Sequence, residues 1–112
     1  MHVEVRKQGE VVILDLDGPL VAGMPQQLLR DVVTELLSEG WSRILVNLNA
    51  VESIDSSGIG ELVAAHKSAV RTGASVRLVQ ARDRVRRTLQ LSQILPLFQV
   101  YDDEAAAVAA FE

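Results

Sequence analysis

The apolar residues of this chain come in two rhythms. "VEVRK" (3–7) and "VVILDL" (11–16) are β-rich runs separated by "QGE", the pattern of a hairpin. The rhythm then turns helical: Leu28, Leu29, Val32, Leu36 and Leu37 recur at helical spacing, Pro25 stands where a helix can open, and Gly40 stands where it can stop. "RILVNL" (43–48) is a short apolar run suited to a strand buried on both faces. A second helix is predicted from about Ser56 to about Thr72, with Gly73 as its stop, and "SVRLVQ" (75–80) is another buried strand. "DRVRRTLQLSQI" (83–94) predicts a helix, "LFQVY" (97–101) a last strand, and "DDEAAAVAAF" (102–111) a final helix capped by an aspartate.

Strands alternating with helices imply a parallel or mixed sheet with right-handed crossovers, and the opening hairpin adds an antiparallel edge. The expected class is α/β: a mixed, mostly parallel sheet with an N-terminal antiparallel hairpin and about four helices, in one domain over 1–112. No internal repeat, low-complexity tract or linker interrupts it.

Composition narrows the function classes. At 112 residues the chain can bury a sizeable core without a staple. The absence of cysteine excludes disulfides and thiolate chemistry and fits a reducing compartment. No apolar run approaches the roughly 18 residues of a membrane span, and "MHVEVRKQGE" has no signal-peptide core, so the expected address is the cytoplasm with no membrane partner. A net charge of −4 and 4% aromatics argue against direct nucleic-acid binding. The local exception is "ARDRVRR" (81–87), with Arg82, Arg84, Arg86 and Arg87 against Asp83 alone. It reads as a solvated helix face, with a docking patch for an acidic partner as the functional alternative.

The corner "IDSSGIGELV" (54–63) carries more hydroxyls than a helix cap needs. Asp55 occupies the N-cap, where its carboxylate can accept from a backbone N–H one turn in. Turning the helix by about 100° per residue puts Ile59, Leu62, Val63, His66, Ala69 and Val70 on the sheet-facing stripe. Ser57 then faces outward with Ala64, Ser68 and Arg71, and Ser56 lies nearer the stripe's edge, looking partly inward. Gly58 and Gly60 cost about 1 kcal/mol each inside a helix, so they serve where another backbone comes close or the first turn must be bare. Ser57 becomes an exposed hydroxyl over free N–H groups, a place where a phosphate leaves the helix intact and brings about −1.5 to −2 charge into any interface there. The plainer reading makes Asp55, Ser56 and Ser57 a redundant cap on a tight turn.

The order of elements, and above all "VNLNAVESIDSSGIGELVAAHKSAVRTGASVRLV" (46–79), resembles the STAS domain of bacterial anti-sigma factor antagonists over essentially the whole chain. The resemblance implies that Ser57, the second serine of the pair, is the phosphoacceptor. It implies that Asp55 and Ser56 shape the acceptor loop, and that the start of the helix, with Gly58, Gly60 and Glu61, meets the partner. The implied partners are an anti-sigma factor that is a serine kinase and a serine phosphatase, with self-association possible and no cofactor. The family often reads "GELD" after the second strand; here Gly18-Pro-Leu-Val21 puts valine at the acidic position.

Catalytic readings fare poorly. Ser57, His66 and Asp55 supply the letters of a hydrolytic triad, but His66 is nine residues along the helix, about 13 Å away, on the inward stripe. It is expected to be a core-edge histidine with a local partner. Two histidines without cysteine make no zinc site, and no phosphate-binding glycine loop follows a strand. Asp102, Asp103 and Glu104 read as the N-terminal charge of the last helix. The expectation is therefore a binding module and not an enzyme: an anti-sigma factor antagonist gated at Ser57, or alternatively a constitutive STAS subunit, for instance of a lipid-transport ATPase or a larger assembly, that is never phosphorylated.

Overall fold

A computed structural model describes residues 1–22, 28–94 and 97–111. Strands β1 (His2–Gln8) and β2 (Val11–Asp17) form the expected antiparallel hairpin, turning at Gly9 with φ 62°. Helix α1 (Leu28–Ser38) leads to β3 (Arg43–Ala50), α2 (Ser56–Arg71) to β4 (Ser75–Val79), and α3 (Asp83–Leu91) to β5 (Val100–Tyr101), before α4 (Glu104–Ala110) ends the described chain. The sheet order is β1-β2-β3-β4-β5, with every pairing after the hairpin parallel. The fold is the α/β arrangement expected, a mostly parallel mixed sheet with an antiparallel edge and four helices among the described residues.

Strand alternation sorts the core into two layers. Val12, Leu14 and Leu16 of β2, Ile44, Val46 and Leu48 of β3, and Val76 and Leu78 of β4 face the three crossover helices. Val11, Ile13, Leu45 and Val79 face the other way, against Ala107, Val108 and Phe111 at the α4 end. Three crossovers between successively adjacent strands put α1, α2 and α3 on one face, as a single handedness requires, and leave α4 to cover the other. The central strand is buried on both faces, as its unbroken apolar run predicts.

Some expectations are corrected. On α1, Leu29, Val33 and Leu36 are the buried residues, with Val32 and Leu37 partly so; Pro25 and the side chain of Leu28 lie outside the described residues. On α2 the innermost residues are Gly58, Leu62, Ala65 and Ala69, while Val70 is 57% exposed and not buried. The large aliphatics mislead here, because the closest approach to the sheet is made where side chains are small. That rotates the wheel, leaving Ile59 and Val63 half-buried and turning Val70 about 100° from Ala69. The last strand shrinks from 97–101 to Val100–Tyr101, since Phe98 turns into the main core instead of alternating. The third helix ends at Leu91, short of the expected Ile94.

Candidate functional site

The corner between β3 and α2 is built by hydrogen bonds from three directions. Asp55 caps α2: its Oδ1 accepts from Ser57 N at 2.9 Å and Gly58 N at 3.2 Å. Its second oxygen, Oδ2, accepts from Ala22 N at 2.9 Å. The capping carboxylate thus also holds the segment after β2. That segment is stitched on further by Leu20 N to Ser53 O (2.9 Å), Asp55 N to Leu20 O (3.3 Å) and a parallel bridge between Leu20 and Ile54. Three backbone donors hold the Asp55 carboxyl below the usual carboxylate range, Ala22 N–H first, then Gly58 and Ser57 N–H, against an opposing desolvation.

The two glycines separate by their surroundings. A Cβ on Gly58 would collide with the Leu20 carbonyl oxygen and lie 2.8 Å from Leu20 Cγ and Ile54 Cγ1, whereas one on Gly60 would meet nothing within 4 Å. Gly58 admits the neighbouring backbone, and Gly60 keeps the first turn bare. Ser57 is exposed as the sequence predicts. Ser56 is exposed as well, not turned partly inward: with the buried face centred on Gly58, Leu62, Ala65 and Ala69, both serines fall on the outer side of the turn. Burial therefore does not distinguish them.

Glu61, one turn after Ser57, is half-buried and reaches Arg30 of α1 at 3.4 Å, with Glu61 Oε2 and Arg30 Nε buried and without a partner among the described residues. Asp55, Ser56, Ser57, Gly58, Gly60 and Glu61 all lie on the first two turns of α2 or its cap. Sequence reasoning missed the main-chain partners Leu20 and Ala22, and Arg30 beside Glu61. The "GPLV" tetrapeptide held the only signal, as glycine and proline punctuation after a strand. Val21, where the family often has an acid, is half-buried in this same segment.

His66 is half-buried, as expected of a core-edge histidine, but the local partner expected is not found. Its ring lies 5.1 Å from that of the sequence-distant Phe98, and its Nδ1 is buried without a hydrogen-bond partner among the described residues. It lies far along α2 from Ser57 and assembles no triad. Among the described residues no cluster of metal-ligating side chains occurs, and no helix is long and apolar enough to cross a membrane.

On the opposite face of the sheet, α4 is tied down by charge. Arg6 pairs with both Asp15 and Glu104, and Asn47, only 8% exposed in the central strand, donates to Glu104 (3.0 Å) and Gln80 (3.1 Å). Arg6, and secondarily Asn47, hold the Glu104 carboxyl below its ordinary range. Of the acidic triplet, Asp103 caps α4 by accepting from Ala106 N, and Asp102 pairs with Arg86.

Comparison with known proteins places this geometry. The STAS domain family matches residues 2–107. A candidate anti-sigma factor antagonist from Thermotoga neapolitana is 35% identical over 77 residues, covering 69% of this chain and 68% of that protein. The crystal structure of a candidate anti-sigma factor antagonist from Thermotoga maritima superposes with a TM-score of 0.88 at 29% identity, covering 96% of this chain and 92% of that one. The phosphorylated form of the Bacillus cell fate determinant SpoIIAA shares the fold, with a TM-score of 0.74 at 18% identity over 99% of this chain and 100% of that one.

Proposed function

This chain belongs to the STAS domain family, and on that footing we propose that it is an anti-sigma factor antagonist switched by phosphorylation of Ser57. Unphosphorylated, it binds an anti-sigma factor of the serine-kinase type through the first turns of α2 and so frees a sigma factor. The kinase, holding its own ATP, transfers the terminal phosphoryl group to the Ser57 hydroxyl and releases ADP and a proton. A serine phosphatase later returns inorganic phosphate and the free hydroxyl. In this cycle the chain is ligand and substrate and catalyses nothing.

The observation that supports the reading is the exposed serine pair on the first turn of α2, where Gly60 opens onto free space and Asp55 is occupied with three backbone donors. The choice of Ser57 over the equally exposed Ser56 rests on the family resemblance. A kinase can reach the hydroxyl without unfolding the turn. The added phosphate sits over the positive end of a 16-residue helix, which offsets its effect on stability. In a complex the same charge must be desolvated beside Asp55 and Glu61, and losing about 3 kcal/mol there is a hundredfold in affinity.

Intact mass after incubation with ATP and the cognate kinase tests the proposal. Wild type and Ser56→Ala should gain one phosphate and Ser57→Ala none, while Ser57→Ala still binds the kinase. Uptake by Ser57→Ala but not by Ser56→Ala would reverse the two serines. No uptake by any form would favour a constitutive STAS subunit.

A further inference from the structure

The layer of three helices carries unlike stripes at its two margins. On α3, Val85 and Leu89 face the core, while Arg84, Arg87 and Leu91 lie three and four residues apart on the outward side. Leu91 is 79% exposed and contributes nothing to the core that Val85 and Leu89 complete. The other two arginines of the cluster are engaged, Arg86 with Asp102 and Arg82 with the Asn49 carbonyl; Arg84 and Arg87 make no ion pair among the described residues. A helix that begins with arginine at its cap and no side-chain capping bond also sets cations against its own dipole. Local contacts account for Arg82 and Arg86 but not for Arg84 and Arg87.

At the other margin, α1 presents the opposite character. Asp31 and Glu35 of α1, and Glu39 just past its end, recur every fourth residue, are exposed, and make no ion pair among the described residues. Beside Glu35 and Glu39 runs a cleft between α1 and β1, floored by Val5, Val32 and Leu36. Lys7, the one cation in it, has its ammonium 5.2 Å from the ring of Trp41. One margin thus offers two cations followed by a protruding leucine, and the other two anions beside an apolar cleft.

We propose that these margins bind each other between copies of this chain, Arg84 and Arg87 of one copy against Glu35 and Glu39 of the next, with Leu91 seated on Val5, Val32 and Leu36. A single molecule cannot make the contact with itself. Its α1 lies beside the β1 edge, and its α3 beside β5, where Arg86 meets Asp102. The contact is head-to-tail and propagates as a ring or an open string. α2 lies between the two margins, so the Ser57 corner stays outside the contact. Two arginines on a chain of net charge −4 make a poor match for a lipid surface or a nucleic acid, and the acidic stripe of the same molecule would oppose either.

Sedimentation of the full chain from micromolar to millimolar concentration tests the contact. At low salt the average mass should rise above one chain, and in molar salt it should fall back. Arg84→Glu/Arg87→Glu and Glu35→Lys/Glu39→Lys should each associate at least about tenfold more weakly, because like charges then face each other. Mixing the two variants should restore the mass, since each supplies the margin the other has lost, and that recovery also shows both are folded. Leu91→Ser should weaken association even at a salt concentration that leaves the wild type assembled. A monomer at every concentration, association indifferent to both charge reversals, or no recovery in the mixture would overturn the proposal. So would a monomeric wild type whose α3 arginines instead bind anionic vesicles, DNA or a different acidic protein.

Discussion

A methyl group added at Gly58 would run into the Leu20 carbonyl, while the same group at Gly60 would point into open space. The two substitutions should therefore move stability in opposite directions. Gly58→Ala forces the Leu20 segment away from α2 and should cost about 1–3 kcal/mol. Gly60→Ala relieves a helix of its glycine and should gain up to about 1 kcal/mol. Urea midpoints at constant m-value read both, and a Gly58→Ala midpoint at or above wild type would show that the Leu20 backbone yields freely. Asp55 adds a pH signature. Its carboxyl is depressed in the folded chain, so its contribution is complete above the unfolded value of about 4 and is lost as pH falls through the lower, folded value. Asp55→Asn should accordingly lie below wild type in stability near neutral pH, with the gap closing in acid. A gap that stays constant with pH would mean the carboxylate charge is not what holds Ala22, Ser57 and Gly58.

At the level of elements, α2 and α4 are secured in different ways. α2 has 16 residues, a side-chain cap and an apolar face on the main core. α4 has seven residues and rests on Ala107, Val108 and Phe111 together with the Glu104 network. A helix that short does not persist on its own propensity. Removing Glu104 leaves Arg6 with Asp15 and Asn47 with Gln80, so the loss falls on α4 alone. Glu104→Ala should lower amide-exchange protection across 104–110 by about fivefold, roughly 1 kcal/mol for partly exposed charged bonds, and leave β3 and β4 protected to the global limit. Equal losses in both regions would show α4 to be fused to the global unfolding unit.

For the whole molecule, the sheet separates a large core from a small one, and each face depends on its own cover. α1, α2 and α3 share the larger face, while Val11, Ile13, Leu45 and Val79 on the other rely on the C-terminal segment. A chain ending before residue 102 should expose that apolar face, bind hydrophobic dyes and aggregate through it. If it instead remains dispersed and melts as cooperatively as the full chain, the second core contributes little to the fold.

Apolar periodicity alone determined the order of elements, the hairpin and the doubly buried β3, because the alternation of strands and the spacing of helices are local properties of the chain. The same patterning was enough to place Ser57 as an exposed hydroxyl on a helix start, but its distinction of Ser57 from Ser56 by burial did not survive, since both are exposed. Tertiary structure decided what depends on distance between segments. It chose Ala65 over Val70 to join Leu62 and Ala69 as inward residues of α2, since close packing on a sheet favours small side chains that hydropathy does not rank. It also turned Ser56 outward with Ser57. It brought Leu20 and Ala22 onto Asp55 and Gly58 from more than thirty residues away, and Arg6 onto Glu104 across almost the whole chain. The opposed stripes on α1 and α3 were written in the sequence as two charge patterns. Only the strand order, which sets them at opposite margins of one helical layer, makes them available to a neighbour and not to each other.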